Sequence, residues 1–202
     1  MFFIELEGEL IIPRNKHLLI SPFTTRRIFE KLIHNEIEAA QAGKKAQITA
    51  KMNSLEDPDM IQLLYKASQA GVKIRMIVRG FTCLIPGVEG LSENIYMTSI
   101  VDRYLEHGRI YLFHNGGDEQ MYIGSADWMT RNLDRRIEVL TPIYDPDLFA
   151  ELKDILVLQL ADNVKARIQD AEETNAYVKQ KTGDKRIRSQ YEIYDYLKLK
   201  NN

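Results

Sequence analysis

The stretch His17-Leu18-Leu19-Ile20-Ser21-Pro22-Phe23-Thr24-Thr25 decides how the chain is read: a strand-like apolar run stops at a proline and passes directly into a helix. From about Thr24 to Ala42, Ile28, Phe29, Leu32, Ile33, Ile37 and Ala40 recur at three-to-four spacing, which predicts one buried stripe. Thr24 or Thr25 is the expected N-cap and Gly43 the stop. Ala46 to Met52 then reads as a second strand. Asp57-Pro58 sets a capping carboxylate before a first-turn proline, a helix runs to Gly71, and Val72 to Val78 reads as a third strand. Strands separated by helices of this length need crossovers, so the expected sheet is parallel, with ligands near the carboxyl ends of its strands. Those ends are Ser21-Pro22-Phe23, Lys51-Met52-Asn53-Ser54 and Arg79-Gly80.

Beyond Arg79 the texture changes. Cys83 to Gly90 is rich in turn formers, and short strand-like runs follow at Ile95 to Ile100, Arg109 to Phe113 and Gln120 to Ser125, the last two joined by the hairpin signature Asn115-Gly116-Gly117. Ile137 to Leu140 is a further apolar run, and Asp145-Pro146 opens an amphipathic helix over Asp147 to Leu160. Asn163 to Gln190 is polar and charged, with a mixed segment Lys179 to Arg188 that reads as a solvated loop, and one more helix is expected over Tyr191 to Lys200. The expected fold class is α/β: a mostly parallel or mixed sheet covered by helices on both faces, with a C-terminal helical tail. Residues 1–162 form the domain and 163–202 the charged tail.

The chain has 202 residues, is 45% hydrophobic and carries 27 Lys and Arg against 29 Asp and Glu, a net charge of −2. That balance argues against a nucleic-acid-coating surface, so any bound anion must be held locally. A single cysteine, Cys83, excludes an internal disulfide; no run is long and apolar enough to span a membrane, and no signal peptide is legible, so a cytoplasmic setting is expected. The strand-like opening at residues 2–12, interrupted by Glu5, Glu7 and Glu9, reads as the start of a truncated chain. No P-loop, zinc-ligand spacing or Gly-x-Ser-x-Gly elbow is present, and aromatics do not interleave with basic residues as an RNA-binding sheet requires.

Among the four histidines, His17 at a strand border and His34 in mid-helix read as structural. His107 differs, because Arg109 stands two positions on and side chains at that spacing share one face of a strand. With Gly124-Ser125-Ala126-Asp127 after the next strand, this pattern resembles the His-x-Lys signature of the phospholipase D superfamily, with Arg109 in place of lysine and His114 where that signature has aspartate. Phosphoryl transfer needs a group that changes protonation near neutral pH and cations on the transferring oxygens, so His107 is the candidate catalytic residue and Arg79, Arg109 and Arg136 a candidate phosphate clamp. The competing expectation is that these arginines pair with Asp102, Glu106, Asp134 and Glu138 on the surface.

Longer stretches carry a more specific resemblance: Ile48 to Leu55, Leu64 to Ile74, Ile77-Val78-Arg79-Gly80 with Pro86-Gly87 and Leu91 to Ile95, Ser99 to His107, and Ser125 to Val139. In order and spacing these resemble the long bacterial polyphosphate kinase family, from about Leu18 to the C-terminal helix. The resemblance implies a phospholipase-D-like domain, the second of two that face each other. The implied activity is reversible transfer of the terminal phosphate of ATP to polyphosphate through a phosphohistidine, with magnesium. The phosphorylated histidine and the magnesium-binding arginines belong to preceding domains of the family, and their motifs do not occur here. What the resemblance carries over is His107 as the second catalytic-site histidine, contacting ATP, Arg79 as a nucleotide-phosphate contact and Arg136 as a further active-site arginine. Lys51 is a weaker candidate for lining a polyphosphate tunnel. Implied partners are ATP or ADP, polyphosphate, the upstream domains and further copies of the full-length chain, with membrane association only through complexes. Two other readings stay open: a phosphodiesterase that completes its site by dimerising, and a non-catalytic interaction module.

Overall fold

A computed structural model describes residues 16–180 and 182–200; the strand-like opening at residues 2–12 lies outside the described residues. The first strand, β1 (Leu19–Ser21), leads directly into α1 (Thr25–Gln41). Thr24 precedes the helix, but its hydroxyl accepts from the Ile20 amide at 2.9 Å and closes the strand-to-helix turn instead of capping a helix amide. At the other end Gly43 takes φ +70°, the left-handed conformation that a side chain resists. The buried stripe of α1 is Phe29, Leu32, Ile33 and Glu36. Glu36 is fully buried because its carboxylate accepts from the Gln47 and Asn115 amides, tying the helix to two strand ends.

β2 (Gln47–Met52), α2 (Pro58–Gln69) and β3 (Lys73–Val78) follow as the spacing predicts. Asp57, 1% exposed, caps α2 by accepting from the Met60 amide at 3.0 Å. Its carboxylate also takes a two-pronged bond from Arg26 of α1 at 2.8 and 2.6 Å and one from the Thr130 hydroxyl at 2.9 Å. Arg26 reaches on to Asp134 at 2.7 and 2.6 Å, so one guanidinium joins α1, α2 and α3 (Thr130–Asp134).

The remaining elements are β4 (Ile95–Ile100), β5 (Ile110–Phe113), β6 (Gln120–Gly124), β7 (Glu138–Pro142), α4 (Pro146–Leu160), β8 (Ala166–Gln169) and α5 (Ser189–Lys200). They complete one eight-stranded sheet in the order β1-β7-β6-β5-β2-β3-β4-β8. Only β2, β3 and β4 pair in parallel; every other neighbouring pair is antiparallel. The sheet is therefore mixed, and β1 lies at its far edge against β7 instead of beside β2, because the β5–β6 hairpin and β7 insert between them. Following the pairings across the sheet, β1, β2, β3, β4 and β6 nevertheless all run the same way. Their carboxyl ends and the amino ends of β5, β7 and β8 thus share one edge.

Alternation along the strands divides the core. Ile48, Ala50, Met52, Ile74, Met76, Val78, Tyr111 and Phe113 face α1 and α2. Ile110, Leu112 and Met121 face α4 through Leu156 and the partly buried Phe149 and Leu152. Both faces are therefore covered, as the sequence predicts. Phe29, Tyr111 and Trp128 form the aromatic centre, the last two stacked at 5.2 Å. Where β6 meets β7, a side chain on Gly124 would sit 2.3 Å from the Val139 carbonyl oxygen, so only glycine allows the close approach.

The segment after 162, expected as a charged tail with a terminal helix, also contributes β8, which pairs with β4 along Met97 to Ile100. Local periodicity could not show this, because the strand is only four residues long and its burial is set by Ile77 and Ile100 beneath it. Asp162, 1% exposed, anchors the segment: one oxygen accepts from the Val164, Lys165 and Ala166 amides and the other from the amide and hydroxyl of Ser189.

Two expectations follow. Gly124→Ala should cost about 3 kcal/mol or more, since the obstructing atoms are backbone, and urea denaturation measures the loss. Burial pushes the Asp57 carboxyl up, but hydrogen bonds from Arg26, Met60 and Thr130 bring it below its ordinary value of 3.8. Burial pushes the Asp162 carboxyl up as well, and hydrogen bonds from the Lys165 amide, the Ser189 amide and hydroxyl and the Val164 amide bring it below that value. A carboxyl lowered on folding stabilises the fold in full above its unfolded value and loses that contribution as pH falls through the folded one. Stability should therefore be flat above pH about 5 and decline below about 4, with a shallower decline in Asp57→Asn.

Candidate functional site

The shared sheet edge collects the residues that the sequence singles out. Arg79 follows β3, His107 and Arg109 precede β5, Asp127 follows β6, and Arg136 precedes β7. His107 lies on the irregular segment between β4 and β5 and is exposed; its imidazole makes no hydrogen bond or ion pair among the described residues. The backbone around it is held from two sides. Arg79 Nη1 donates to the Glu106 carbonyl at 3.1 Å, and Arg109 Nη1 donates to the His107 carbonyl at 2.7 Å.

Arg109 is itself fixed. Its Nε and Nη2 donate to the two oxygens of Asp127 at 3.1 and 3.3 Å, with the two side chains only 12% and 8% exposed. The same Asp127 oxygen accepts from the Asn53 amide at 2.8 Å, joining the ends of β2, β5 and β6. Beneath it the Tyr111 hydroxyl donates to the Ala126 carbonyl at 2.7 Å, and burial, reinforced by the nearby Asp127 carboxylate, holds that hydroxyl well above its ordinary pKa, so it stays a proton donor.

The surface pairing weighed for the arginines does not form. Asp102 pairs with Arg188, Glu106 with Lys51, Asp134 with Arg26, and Glu138 accepts from Asn132. Arg136 is exposed and its side chain has no partner among the described residues. Arg79 commits one nitrogen to a carbonyl and leaves Nε and Nη2 without a partner among them. Lys51 is buried at 7% exposure, its ammonium 2.9 Å from the Glu106 carboxylate, on the face covered by α4.

The other histidines stand apart. His114 is at the opposite end of β5, 3.8 Å from Glu119, His17 meets the Tyr144 hydroxyl at 3.2 Å, and His34 is exposed on α1. A cavity of about 480 Å³ lined by Gly108, Arg109, Ile110 and Leu152 opens beside the His107 segment. A second of about 370 Å³, under Phe81 and Pro86, includes none of the four candidate side chains. Among the described residues no group of three or more His, Cys, Asp or Glu is placed to hold a metal ion, so the residues present do not fit a magnesium site and no step is assigned to one. Nor is any described helix long and apolar enough to cross a membrane.

Sequence reasoning missed Asp127 as the partner of Arg109, Lys51 as the partner of Glu106, and every contribution from beyond residue 162. Asp127 had a signal in the quoted Gly124-Ser125-Ala126-Asp127 element; the others had none.

Comparison with known proteins gives a consistent set. A family model described as the polyphosphate kinase C-terminal domain 2 matches residues 18–190. A polyphosphate kinase of Vibrio parahaemolyticus is 54% identical over 182 residues, covering 90% of this chain and 26% of that protein, and one of Escherichia coli K12 is 49% identical over 183 residues with the same coverage. The crystal structure of polyphosphate kinase from Porphyromonas gingivalis superposes with a TM-score of 0.93 at 45% identity, covering 98% of this chain and 30% of that one. A phospholipase D family member, Nuc from Salmonella typhimurium, matches at a TM-score of 0.53 and 15% identity over 76% of this chain and 96% of its own, a likeness of fold alone. The chain thus spans about a quarter of the length of its curated relatives. Matched over most of its length, it belongs to the polyphosphate kinase C-terminal domain family and has a phospholipase-D-like fold.

Proposed function

We propose that this chain supplies one half of the active centre of an ATP:polyphosphate phosphotransferase, with the transferred phosphoryl carried on a histidine of a preceding domain. The observation that carries this reading is an exposed imidazole, without a partner among the described residues, whose backbone is held from both sides, at the same edge as arginines with donors uncommitted among those residues. An imidazole can both take up and give up a proton, so His107 suits proton exchange with the phosphate oxygens of ATP. Arg79 and Arg136 remain charged throughout and match phosphate oxygens with paired donors, which suits them to the charge that develops during transfer.

Arg109 has a different part in this reading from a phosphate contact. Three of its donors are spent on Asp127 and on the His107 carbonyl, so it acts as a positioning residue. The same commitment argues against a phosphodiesterase of the His-x-Lys type, whose cation must reach substrate. ATP or ADP and polyphosphate are the substrates of this reading, the upstream domains the partner, and magnesium is held by donors outside the described residues. The setting is cytoplasmic, within an oligomer of the full-length chain.

Joined to its upstream domains, the chain should make polyphosphate from ATP, and His107→Ala should lower the rate by about two to four orders of magnitude. Polyphosphate synthesis at an unchanged rate in His107→Ala would sink the assignment. Arg109→Lys loses the two-pronged bond to a nearly buried carboxylate, so urea denaturation should show a loss of about 1–3 kcal/mol even in this chain alone.

A further inference from the structure

The segment that carries His107, from Val101 to Arg109, has no sheet partner, and Val101, Tyr104 and Leu105 are exposed at 70%, 62% and 78%. Besides Arg79 and Arg109, it is restrained from the start of α5, where three consecutive residues each reach a different anchor. Arg188 donates two bonds to Asp102 at 2.8 and 2.6 Å, Ser189 is bound to Asp162, and Gln190 meets the backbone of Tyr104. The Gln190 contact is two-sided: its carbonyl oxygen accepts from the Tyr104 amide at 3.0 Å and its amide nitrogen donates to the Tyr104 carbonyl at 2.8 Å, as a neighbouring strand would. That matched donor and acceptor fixes which way round the side-chain amide lies. The same nitrogen donates to the Glu106 carboxylate at 3.0 Å, which also receives Lys51 and the Gln159 amide.

We propose that Gln190 is a positioning residue for His107, with Arg188 as its support: the C-terminal segment latches the loop that presents the imidazole. Glu106, immediately before His107, is then gripped at its carbonyl by Arg79 and at its carboxylate by Lys51, Gln159 and Gln190. Only Gln190 among these four joins Glu106 to the middle of the loop. The hydrogen bonds from Arg188 lower the Asp102 carboxyl below its ordinary value, and the Asp102 side chain is 3% exposed, so the outer end of the latch stays ionised at neutral pH. The proposal rests on the reading of His107 as a site residue.

The test has two arms. In this chain, Gln190→Ala removes the acceptor of the Tyr104 amide, which should then exchange its hydrogen about tenfold faster while amides of β2 are unchanged. Gln190→Glu keeps an acceptor but sets a carboxylate against the Tyr104 carbonyl and Glu106, and serves as a second variant. In the chain joined to its upstream domains, both variants should lower kcat by on the order of tenfold or more, with KM for ATP within about twofold, because the imidazole is misplaced but the nucleotide contacts remain. Arg188→Lys keeps the charge but not the paired bond and should recover only part of the rate lost in Arg188→Ala. Unchanged exchange at Tyr104 overturns the latch, and faster exchange with an unchanged kcat overturns its part in positioning. If the unmodified full-length protein transfers no phosphate, the proposed function fails and the positioning role with it, while exchange still decides whether Gln190 holds the loop.

Discussion

A buried carboxylate that must be satisfied organises the functional edge of this domain. Asp127 cannot sit 6% exposed as a bare charge, and its demand for donors draws in the Arg109 guanidinium and the Asn53 amide. Because those partners stand at the ends of different strands, meeting that demand sets the relative height of β2, β5 and β6. The third arm of Arg109 then has one place to go, the His107 carbonyl. The backbone of the exposed histidine is thus tied to the buried Asp127–Arg109 pair.

Chain direction does the rest. Five strands run one way, so residues that follow β2, β3 and β6 and residues that precede β5 and β7 share one edge although they come from distant parts of the sequence. This is why one edge can collect Asn53, Arg79, His107, Asp127 and Arg136, and why His114, only seven residues beyond His107, is carried to the opposite end of β5. The aromatic centre of Phe29, Tyr111 and Trp128 makes the edge stiff, since the Tyr111 hydroxyl fixes the carbonyl immediately before Asp127.

Much of this was legible in the sequence. Apolar spacing gave α1, Asp57-Pro58 and Gly71 bounded α2, Asp57-Pro58 and Asp145-Pro146 marked caps that the structure forms, and the turn formers at Asn115-Gly116-Gly117 marked the β5–β6 hairpin. Periodicity is local, however, and the place of β1 in the sheet is not. It depends on three strands encoded after residue 100. β8 was hidden for the same reason, being short and polar with its partner far away in sequence. At the site, His107, Arg79 and Arg136 could be chosen from residue chemistry and resemblance. The distinction between an arginine that is free and one that is tied could not, because Arg109 meets Asp127 only once the hairpin has closed. Gln190 and Arg188, more than eighty residues from the loop they hold, left no mark on the local pattern.

On the proposed function, a domain with a preset histidine and two arginines that keep uncommitted donors should respond to nucleotide when its partner is present. The most direct measurement is the pH titration of the His107 imidazole by nitrogen NMR, in the chain joined to its upstream domains, with and without nucleotide. A bound phosphate beside the ring favours the imidazolium, so nucleotide should raise the titration midpoint, and replacing Arg79 should weaken that response. A midpoint that is the same with and without saturating nucleotide would contradict the placement of His107 at the transferring phosphate.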